Sequence, residues 1–215
     1  MTDFAAARRH MVDGQVRTSD VTDLPVISAM REVARERFMP PASASLAYLD
    51  LDVPVGAARR LLRPMVLAKL LQAAELQATD RVLDVGCATG YTAAVLARIV
   101  RQVVALEQDA GLAKAAREGL ASQPKVEVVS GTLAEGWPQG APYDAVVLEG
   151  ATEVVPHALC QQLKDGGRLV CVLGSGPGSK AMLYRRSGSE VGGRPVFDAP
   201  AALLPGFAKT PVFAF

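Results

Sequence analysis

Two acidic residues and two glycines have the types and the spacing of a nucleotide-binding loop. Asp84 precedes Gly86 by two positions, Gly90 follows four positions after Gly86, and Glu107 comes 21 positions after Gly86. In a dinucleotide-binding unit, an acidic residue about 20 positions beyond the glycines binds the ribose hydroxyls. Glu107 meets that requirement. The spacing therefore predicts a ligand that contains a ribose, and the alternative is a structural turn that binds nothing.

The glycine pattern favours S-adenosylmethionine over a dinucleotide. The loop is not GxGxxG, because position 88 is Ala and the two glycines lie four positions apart. A pyrophosphate needs a close approach to the backbone at a helix N-terminus, and this loop is less suited to one. A ligand with a ribose and no phosphate fits better. Asp84 would then face the ammonium at the methionine end of the ligand.

Two downstream positions extend the predicted cofactor pocket. Thr132 follows the third strand of the predicted sheet, where adenine would lie, and many methyltransferases have an acidic residue there. Glu149 ends the fourth strand and would face the reaction side, or else be a solvated carboxylate. The predicted cofactor-binding residues are Asp84, Gly86, Cys87, Ala88, Gly90, Tyr91, Glu107, Gln108, Thr132, Leu133 and Glu149.

Composition and charge argue against several kinds of partner and ligand. Half of the 215 residues are hydrophobic and the formal net charge is +1, so neither a nucleic-acid surface nor a membrane surface is indicated. The three cysteines show no CxxC spacing, which favours free thiols in the cytoplasm. His10 and His157 lie near no cysteine or carboxylate cluster with the spacing of metal ligands, so no metal site is predicted.

Alternating apolar runs predict the sheet that positions the loop. Strands are predicted at 82–85, 103–107, 126–129, 145–149 and 168–173, with helices near 92–100, 111–121 and 156–163 between them. Such alternation favours an α/β fold with a doubly wound, mostly parallel sheet. Residues 164–167 are predicted as a turn. The apolar runs 181–184, 195–197 and 212–215 predict two or three antiparallel strands at the edge of the sheet.

The chain before the loop is predicted as a helical cap. Residues 1–38 have helical patterns, with a stop at Gly14, and one helix face runs from Val26 to Ala34. Residues 42–63 are predicted as loop, and Pro64 begins a helix that reaches about Leu76. We therefore expect a cap with the substrate loop at 1–78 and a cofactor-binding α/β part at 79–215, forming one compact unit.

With these residues placed, the chain resembles the protein-L-isoaspartate O-methyltransferase family. The pieces that carry the resemblance are residues 11–15, 26–30, 35–40, 47–50, 53–56, 82–86, 90–92, 143–144, 156–159 and 162–170. The resemblance implies a seven-stranded, Rossmann-like methyltransferase sheet with S-adenosylmethionine as cofactor and S-adenosylhomocysteine as product. It implies methylation of an isoaspartyl α-carboxylate in damaged proteins. Such a carboxylate is ionised at pH 7, because its reference pKa is about 3.5 to 4, and no general base is required.

The substrate loop departs from the family pattern. The family's Gly-Gln-Thr-Ile-Ser-x-Pro corresponds here to Ala58-Arg59-Arg60-Leu61-Leu62-Arg63-Pro64, so its Thr and Ser fall on Arg60 and Leu62. Leucine cannot donate a hydrogen bond to a substrate carboxylate. Arg59, Arg60 and Arg63 could instead hold a small anionic acceptor, or form a solvated basic turn. Three hypotheses stay open: isoaspartyl methylation, methylation of another acceptor, and cofactor binding without catalysis. The sequence does not indicate an oligomeric state.

Overall fold

In the part of the chain that the structure describes, seven strands form the sheet that carries the predicted loop. The computed structural model describes residues 3–210. Its sheet has the order β5-β4-β3-β6-β7-β8-β9, in which β3 to β7 are parallel and β8 and β9 are antiparallel. The strands are β3 (Arg81–Val85), β4 (Gln102–Glu107), β5 (Val126–Ser130), β6 (Tyr143–Thr152), β7 (Leu163–Leu173), β8 (Lys180–Ser187) and β9 (Glu190–Asp198). A separate hairpin precedes them, β1 (Val53–Gly56) with β2 (Arg59–Leu61).

The strand order confirms the predicted doubly wound α/β fold. The order reverses at β3, which has β4 on one side and β6 on the other. Ligands of open α/β sheets bind at such a switch point, outside the carboxyl ends of the strands. Two antiparallel strands at the edge are also confirmed. The run 212–215, which would give a third, lies outside the described residues.

Within residues 3–210, six α-helices flank the sheet and form the cap. They are α1 (Phe4–Met11), α2 (Leu24–Glu32), α3 (Pro64–Ala73), α4 (Tyr91–Leu96), α5 (Ala110–Gly119) and α6 (His157–Cys160). Asp3, Asp23 and Asp109 cap α1, α2 and α5, because each side chain accepts a hydrogen bond from a backbone N–H of the first turn. No helix within residues 3–210 is long and apolar enough to cross a membrane.

The first two helices of the cap end at residues other than those predicted. Gly14 does not stop the first helix, because the chain continues through a π-helical turn (Val12–Val16) and a 3₁₀ turn (Arg17–Ser19). The second helix ends at Glu32, since Val33 adopts an extended conformation. A short 3₁₀ helix (Arg35–Phe38) follows.

The prediction that residues 42–63 form a loop is wrong, because this segment contains regular structure. A 3₁₀ helix (Pro41–Leu46) leads to the β1–β2 hairpin, in which Val53 pairs with Leu61 and Gly56 with Arg59. The strands are short, and their turn has Ala57 and Ala58 rather than the Asn-Gly that signals a two-residue hairpin.

Two predictions near β7 are also wrong. The helix predicted at 156–163 is the short α6, because Leu163 already begins β7 and pairs with Tyr143. The predicted turn 164–167 lies inside β7 as a bulge, between the pairs Tyr143–Leu163 and Ala145–Arg168. Gly166 permits the bulge, with φ +74°.

The cap and the sheet share one buried apolar cluster. Met30 and Leu67 of the cap belong to the same cluster as Val103 and Val170 of the sheet. Arg168 adds a polar connection, because its guanidinium donates to the carbonyls of Ala74 and Glu75 and pairs with Asp80. The predicted cap therefore packs directly on the sheet.

Candidate active site

The predicted glycine loop connects β3 to α4 and is tied to β4. The N–H groups of Gly86 and Cys87 both donate to the carbonyl of Leu106, at 2.8 and 3.1 Å. Gly86 and Gly90 have φ +79° and +96°, a region that favours glycine. A Cβ on Gly90 would lie 2.6 Å from Cδ1 of Leu120. The loop therefore turns tightly at the switch point, where the sequence placed it.

Asp84 is a buried carboxylate that has no hydrogen-bond partner among residues 3–210. It has no exposed surface, and neither Oδ1 nor Oδ2 accepts a hydrogen bond from residues 3–210. Burial, followed by the nearby charges of Glu149 and Glu107, raises the pKa of Asp84 well above its usual range. An unsatisfied buried carboxylate is unfavourable, and a cationic ligand would relieve it.

Glu149 is a second buried carboxylate on the same side. It does not end its strand as predicted, because β6 continues to Thr152, with an irregular register between Val147 and Ala151. Its Oε1 accepts no hydrogen bond within the described part of the chain. Burial raises the pKa of Glu149 to about 7, against the opposing effects of Thr92, Arg59 and Arg35.

Glu107, the predicted ribose residue, is fully hydrogen-bonded by the protein itself. Its carboxylate accepts from the N–H groups of Ala88 (2.8 Å), Gln108 (2.8 Å) and Asp109 (3.0 Å). Arg59 Nη1 donates to both oxygens, at 3.0 and 2.9 Å. A carboxylate has about four lone-pair sites, so Glu107 has no free acceptor position in this arrangement.

The predicted adenine side is open. Gln108 Oε1 accepts from the N–H of Leu133 at 3.4 Å, which brings these two predicted residues together. Thr132 is exposed beside them. A cavity of about 210 Å³ lies next to Glu107 and Gln108 and is also lined by Ala57, Arg59 and Pro205.

The predicted substrate-loop arginines do not converge. Arg59 is buried against Glu107 and donates to the Gly86 carbonyl at 2.6 Å, whereas Arg60 is exposed and contacts the Asp52 carbonyl at 3.3 Å. Arg63 pairs with the Asp52 carboxylate at 3.4 Å. Leu62 is buried in the apolar cluster. The chain therefore directs one of the three arginines into the pocket.

Sequence reasoning missed Arg35. Its guanidinium is fully buried, donates to the Leu62 carbonyl at 2.8 Å and lies 4.7 Å from the centre of the Tyr91 ring. Its Nε and Nη1 make no hydrogen bond among residues 3–210. Burial lowers the pKa of Arg35, and Tyr91 and Glu149 oppose that effect. The only sequence signal was an arginine within one of the pieces that carry the family resemblance.

The remaining predicted residues of the loop are buried. Cys87 and Ala88 are 1% exposed, and Tyr91 begins α4 with no exposed surface. Burial raises the pKa of the Cys87 thiol well above its usual range, which disfavours a thiolate nucleophile. Within residues 3–210, His, Cys, Asp and Glu form no group of three or more that could hold a metal ion.

The pocket fits S-adenosylmethionine at one end and needs a rearrangement at the other. The buried, unpaired oxygens of Asp84 and Glu149 fit a cationic methionine end. Glu107, the predicted ribose residue, gains one free acceptor position only when Arg59 leaves, because three backbone N–H groups occupy the others. Carboxylate oxygens that suit a cationic group therefore lie at one end of the pocket, and the guanidinium of Arg59 covers the carboxylate of Glu107 at the other.

Known proteins with related sequences share one family. The sequence profile of the family described as protein-L-isoaspartate(D-aspartate) O-methyltransferase matches residues 6–196. The protein-L-isoaspartate O-methyltransferase of Methylorubrum extorquens is 41% identical over 189 residues, which cover 87% of this chain and 83% of the relative. Its counterpart in Methylorubrum populi is 40% identical over 191 residues, covering 88% and 89%.

Solved structures share the fold. A protein-L-isoaspartate O-methyltransferase superposes with a TM-score of 0.79 at 24% identity, covering 93% of this chain and 66% of that chain. A Plasmodium falciparum structure described as a complex of such an enzyme with S-adenosyl-L-homocysteine superposes with a TM-score of 0.78 at 16% identity, covering 92% and 97%. The sequence match, together with the switch-point pocket, gives the assignment: the chain belongs to the protein-L-isoaspartate(D-aspartate) O-methyltransferase family of S-adenosylmethionine-dependent protein carboxyl methyltransferases.

Proposed function

We propose that this protein transfers a methyl group from S-adenosylmethionine to the α-carboxylate of an isoaspartyl residue in a protein or peptide. The family match over residues 6–196 supports the reaction. The observation that carries the site is Asp84, a fully buried carboxylate with two unpaired oxygens behind the glycine loop.

In this proposal each predicted residue has a distinct role. Asp84 accepts a hydrogen bond from the ammonium at the methionine end of the cofactor, and Glu149 adds a second acceptor beside it. The loop from Gly86 to Gly90 lets the cofactor approach the backbone closely. Glu107 accepts a hydrogen bond from a ribose hydroxyl at the acceptor position that Arg59 leaves, and Gln108 and Leu133 border the adenine.

The bound cofactor supplies an electrophilic methyl group on a sulfonium. The acceptor carboxylate is ionised at neutral pH, because its reference pKa is about 3.5 to 4, so the chain need not remove a proton. The chain instead orients the acceptor and excludes water, which together can contribute about 7–11 kcal/mol in favourable cases. Asp84, Tyr91 and Glu149 are buried, and their burial helps to exclude water from the site.

A second candidate is methylation of a different, small anionic acceptor. It is supported by the substrate loop, in which Leu62 is buried in the core and Arg60 is exposed, so neither supplies the hydroxyl that the family pattern has. Arg35, with two unpaired N–H-bearing atoms near Glu149, is a buried cation that would suit an acceptor carboxylate. We further propose a cytoplasmic location, since Cys87, Cys160 and Cys171 are free thiols.

The experiment is methyl incorporation from labelled S-adenosylmethionine into two synthetic peptides that differ only in an isoaspartyl or an aspartyl residue. We expect label in the isoaspartyl peptide alone, and at least tenfold less with Asp84→Asn, about 1.4 kcal/mol. If neither peptide were labelled at high enzyme concentration while a small carboxylic acid was, the second candidate would replace the first.

A further inference from the structure

We propose that Arg59 is a plug in the cofactor site: it occupies the ribose-binding carboxylate of Glu107 and must leave before S-adenosylmethionine can bind. This inference rests on the proposed function, because it takes Glu107 as the ribose residue. It adds a step that the family pattern does not contain, since the residue comes from the part of the substrate loop where this chain departs from that pattern.

The contacts of Arg59 fill the ribose position on two sides. Nη1 lies 3.0 and 2.9 Å from the two oxygens of Glu107, and Nη2 lies 2.6 Å from the carbonyl oxygen of Gly86. Both charged side chains are buried, with 4% of Arg59 and 1% of Glu107 exposed. Nη1 alone contacts both carboxylate oxygens, and hydrogen bonds between ionised groups are stronger than those between neutral groups. The closed arrangement is therefore a defined state of the pocket.

The guanidinium and a ribose cannot share this position. Glu107 already accepts three backbone N–H groups, and Arg59 takes the remaining acceptor capacity of both oxygens. The guanidinium also lies against the glycine loop, because a Cβ on Gly86 would be 2.6 Å from Nη2. That is the backbone surface a cofactor has to approach.

The site behind the plug is already formed. When Arg59 leaves, Glu107 keeps its hydrogen bonds from Ala88, Gln108 and Asp109, which hold the carboxylate in place. The cavity of about 210 Å³ beside Glu107 and Gln108 then joins the space that the guanidinium vacates. Removal of Arg59 therefore exposes a binding position without rebuilding it.

The hairpin that carries Arg59 is strained at its turn. Ala57 and Ala58 both have positive φ, +47° and +58°, a conformation that non-glycine residues adopt at a cost. Both residues are exposed. The hairpin also borders a cavity of about 420 Å³, lined by Val55, Gly56 and Ala57 and by Phe38 and Leu112 among others. We therefore expect the hairpin to move at this turn when Arg59 leaves Glu107.

The test is calorimetric binding of S-adenosylhomocysteine to the full-length protein and its variants. A site whose competent state is a small fraction of the population binds with an affinity reduced by that fraction. If the open fraction is about a tenth or less, Arg59→Ala binds about tenfold more tightly or better. Arg59→Met, which keeps the aliphatic stem, is expected to do the same and covers the case in which the alanine variant does not fold.

Two further variants make the test specific. Arg60→Ala, on the same hairpin with its side chain exposed, is the matched control and should bind like the unmodified protein. The double change Ala57→Asn with Ala58→Gly provides the residues that this turn type favours. It should stabilise the closed hairpin and weaken S-adenosylhomocysteine binding, an effect opposite in sign to that of Arg59→Ala.

The outcomes separate this inference from the proposed function. Tighter binding by Arg59→Ala and weaker binding by the turn variant support the plug. Equal or weaker binding by both Arg59 variants, with S-adenosylhomocysteine still bound by the unmodified protein, would overturn the plug and leave the proposed function standing. Absence of binding by the unmodified protein and by both Arg59 variants would overturn both.

Discussion

At the scale of single residues, Glu149 shows how the site acts on the stability of the fold. Burial raises its pKa to about 7 from an ordinary value of 4.5. Because the pKa of Glu149 is higher in the folded than in the unfolded state, the fold accommodates its protonated form better than its carboxylate. The contribution of Glu149 to the free energy of unfolding is therefore fully present below about pH 4.5 and is lost as pH rises through about 7.

Glu149→Gln should therefore stabilise the protein at pH 8 by about 1–3 kcal/mol and change little near pH 4.5, since the amide does not ionise. Urea unfolding of both proteins at the two pH values measures this. Glu118→Gln, at an exposed carboxylate of α5, is the control and should stay within about 0.5 kcal/mol at both. A constant difference across pH would contradict a raised pKa at Glu149.

Some site residues can be predicted from the sequence beside them, whereas others depend on contacts with distant parts of the chain. Asp84, Gly86 and Gly90 could be predicted because strand, turn and helix follow one another within a few residues. The partner of Glu107 could not, because Arg59 is 48 positions away and its choice of Glu107 depends on how the hairpin packs. Arg35 was missed for the same reason, since its buried position depends on Leu62 and Tyr91.

At the scale of elements, the β1–β2 hairpin explains why the family's serine cannot simply be restored. Leu62 follows β2, is 2% exposed and packs in the main apolar cluster, while its carbonyl accepts from Arg35. Arg60, the other departure, is exposed. The two positions therefore differ in what a substitution would do to the fold.

Leu62→Ser should lower the free energy of unfolding by about 2–4 kcal/mol, because it leaves a cavity and buries a hydroxyl. Arg60→Thr should change it by less than about 0.5 kcal/mol. Guanidinium denaturation gives both values. Leu62→Met conserves volume and serves as the control, with a cost below about 1.5 kcal/mol. A neutral Leu62→Ser would mean that this side chain does not support the core.

The elements themselves were predictable where the pattern was long and apolar. The parallel strands β3, β4 and β6 contain runs of buried apolar residues, and β5 contains three valines, so their order in the chain was recognisable. The β1–β2 hairpin was not, because its strands have four and three residues and its turn lacks Asn or Gly at both central positions. The adjacent glycines Gly166 and Gly167 predict a turn, whereas β7 has a bulge there.

At the scale of the whole molecule, the cap and the sheet share one core. Met30 and Leu67 pack in the same cluster as Val103 and Val170, and Arg168 bonds to the carbonyls of Ala74 and Glu75. Separation of residues 3–78 from the sheet would expose apolar surface on both. We propose that the two parts behave as one folding unit.

Urea unfolding should therefore show one transition. Fluorescence of Trp137, the single tryptophan, reports on the sheet, whereas far-ultraviolet circular dichroism reports on the helices of cap and sheet together. The midpoints should coincide. Loss of part of the helical signal at lower urea than the fluorescence change would indicate that the cap unfolds by itself.

The most direct measurement is a crystal structure of the protein with S-adenosylhomocysteine bound. We expect a ribose hydroxyl on the carboxylate of Glu107, the ammonium beside Asp84, and the guanidinium of Arg59 away from Glu107. A nucleoside bound elsewhere, with the Arg59–Glu107 pair intact, would contradict the assignment of this pocket.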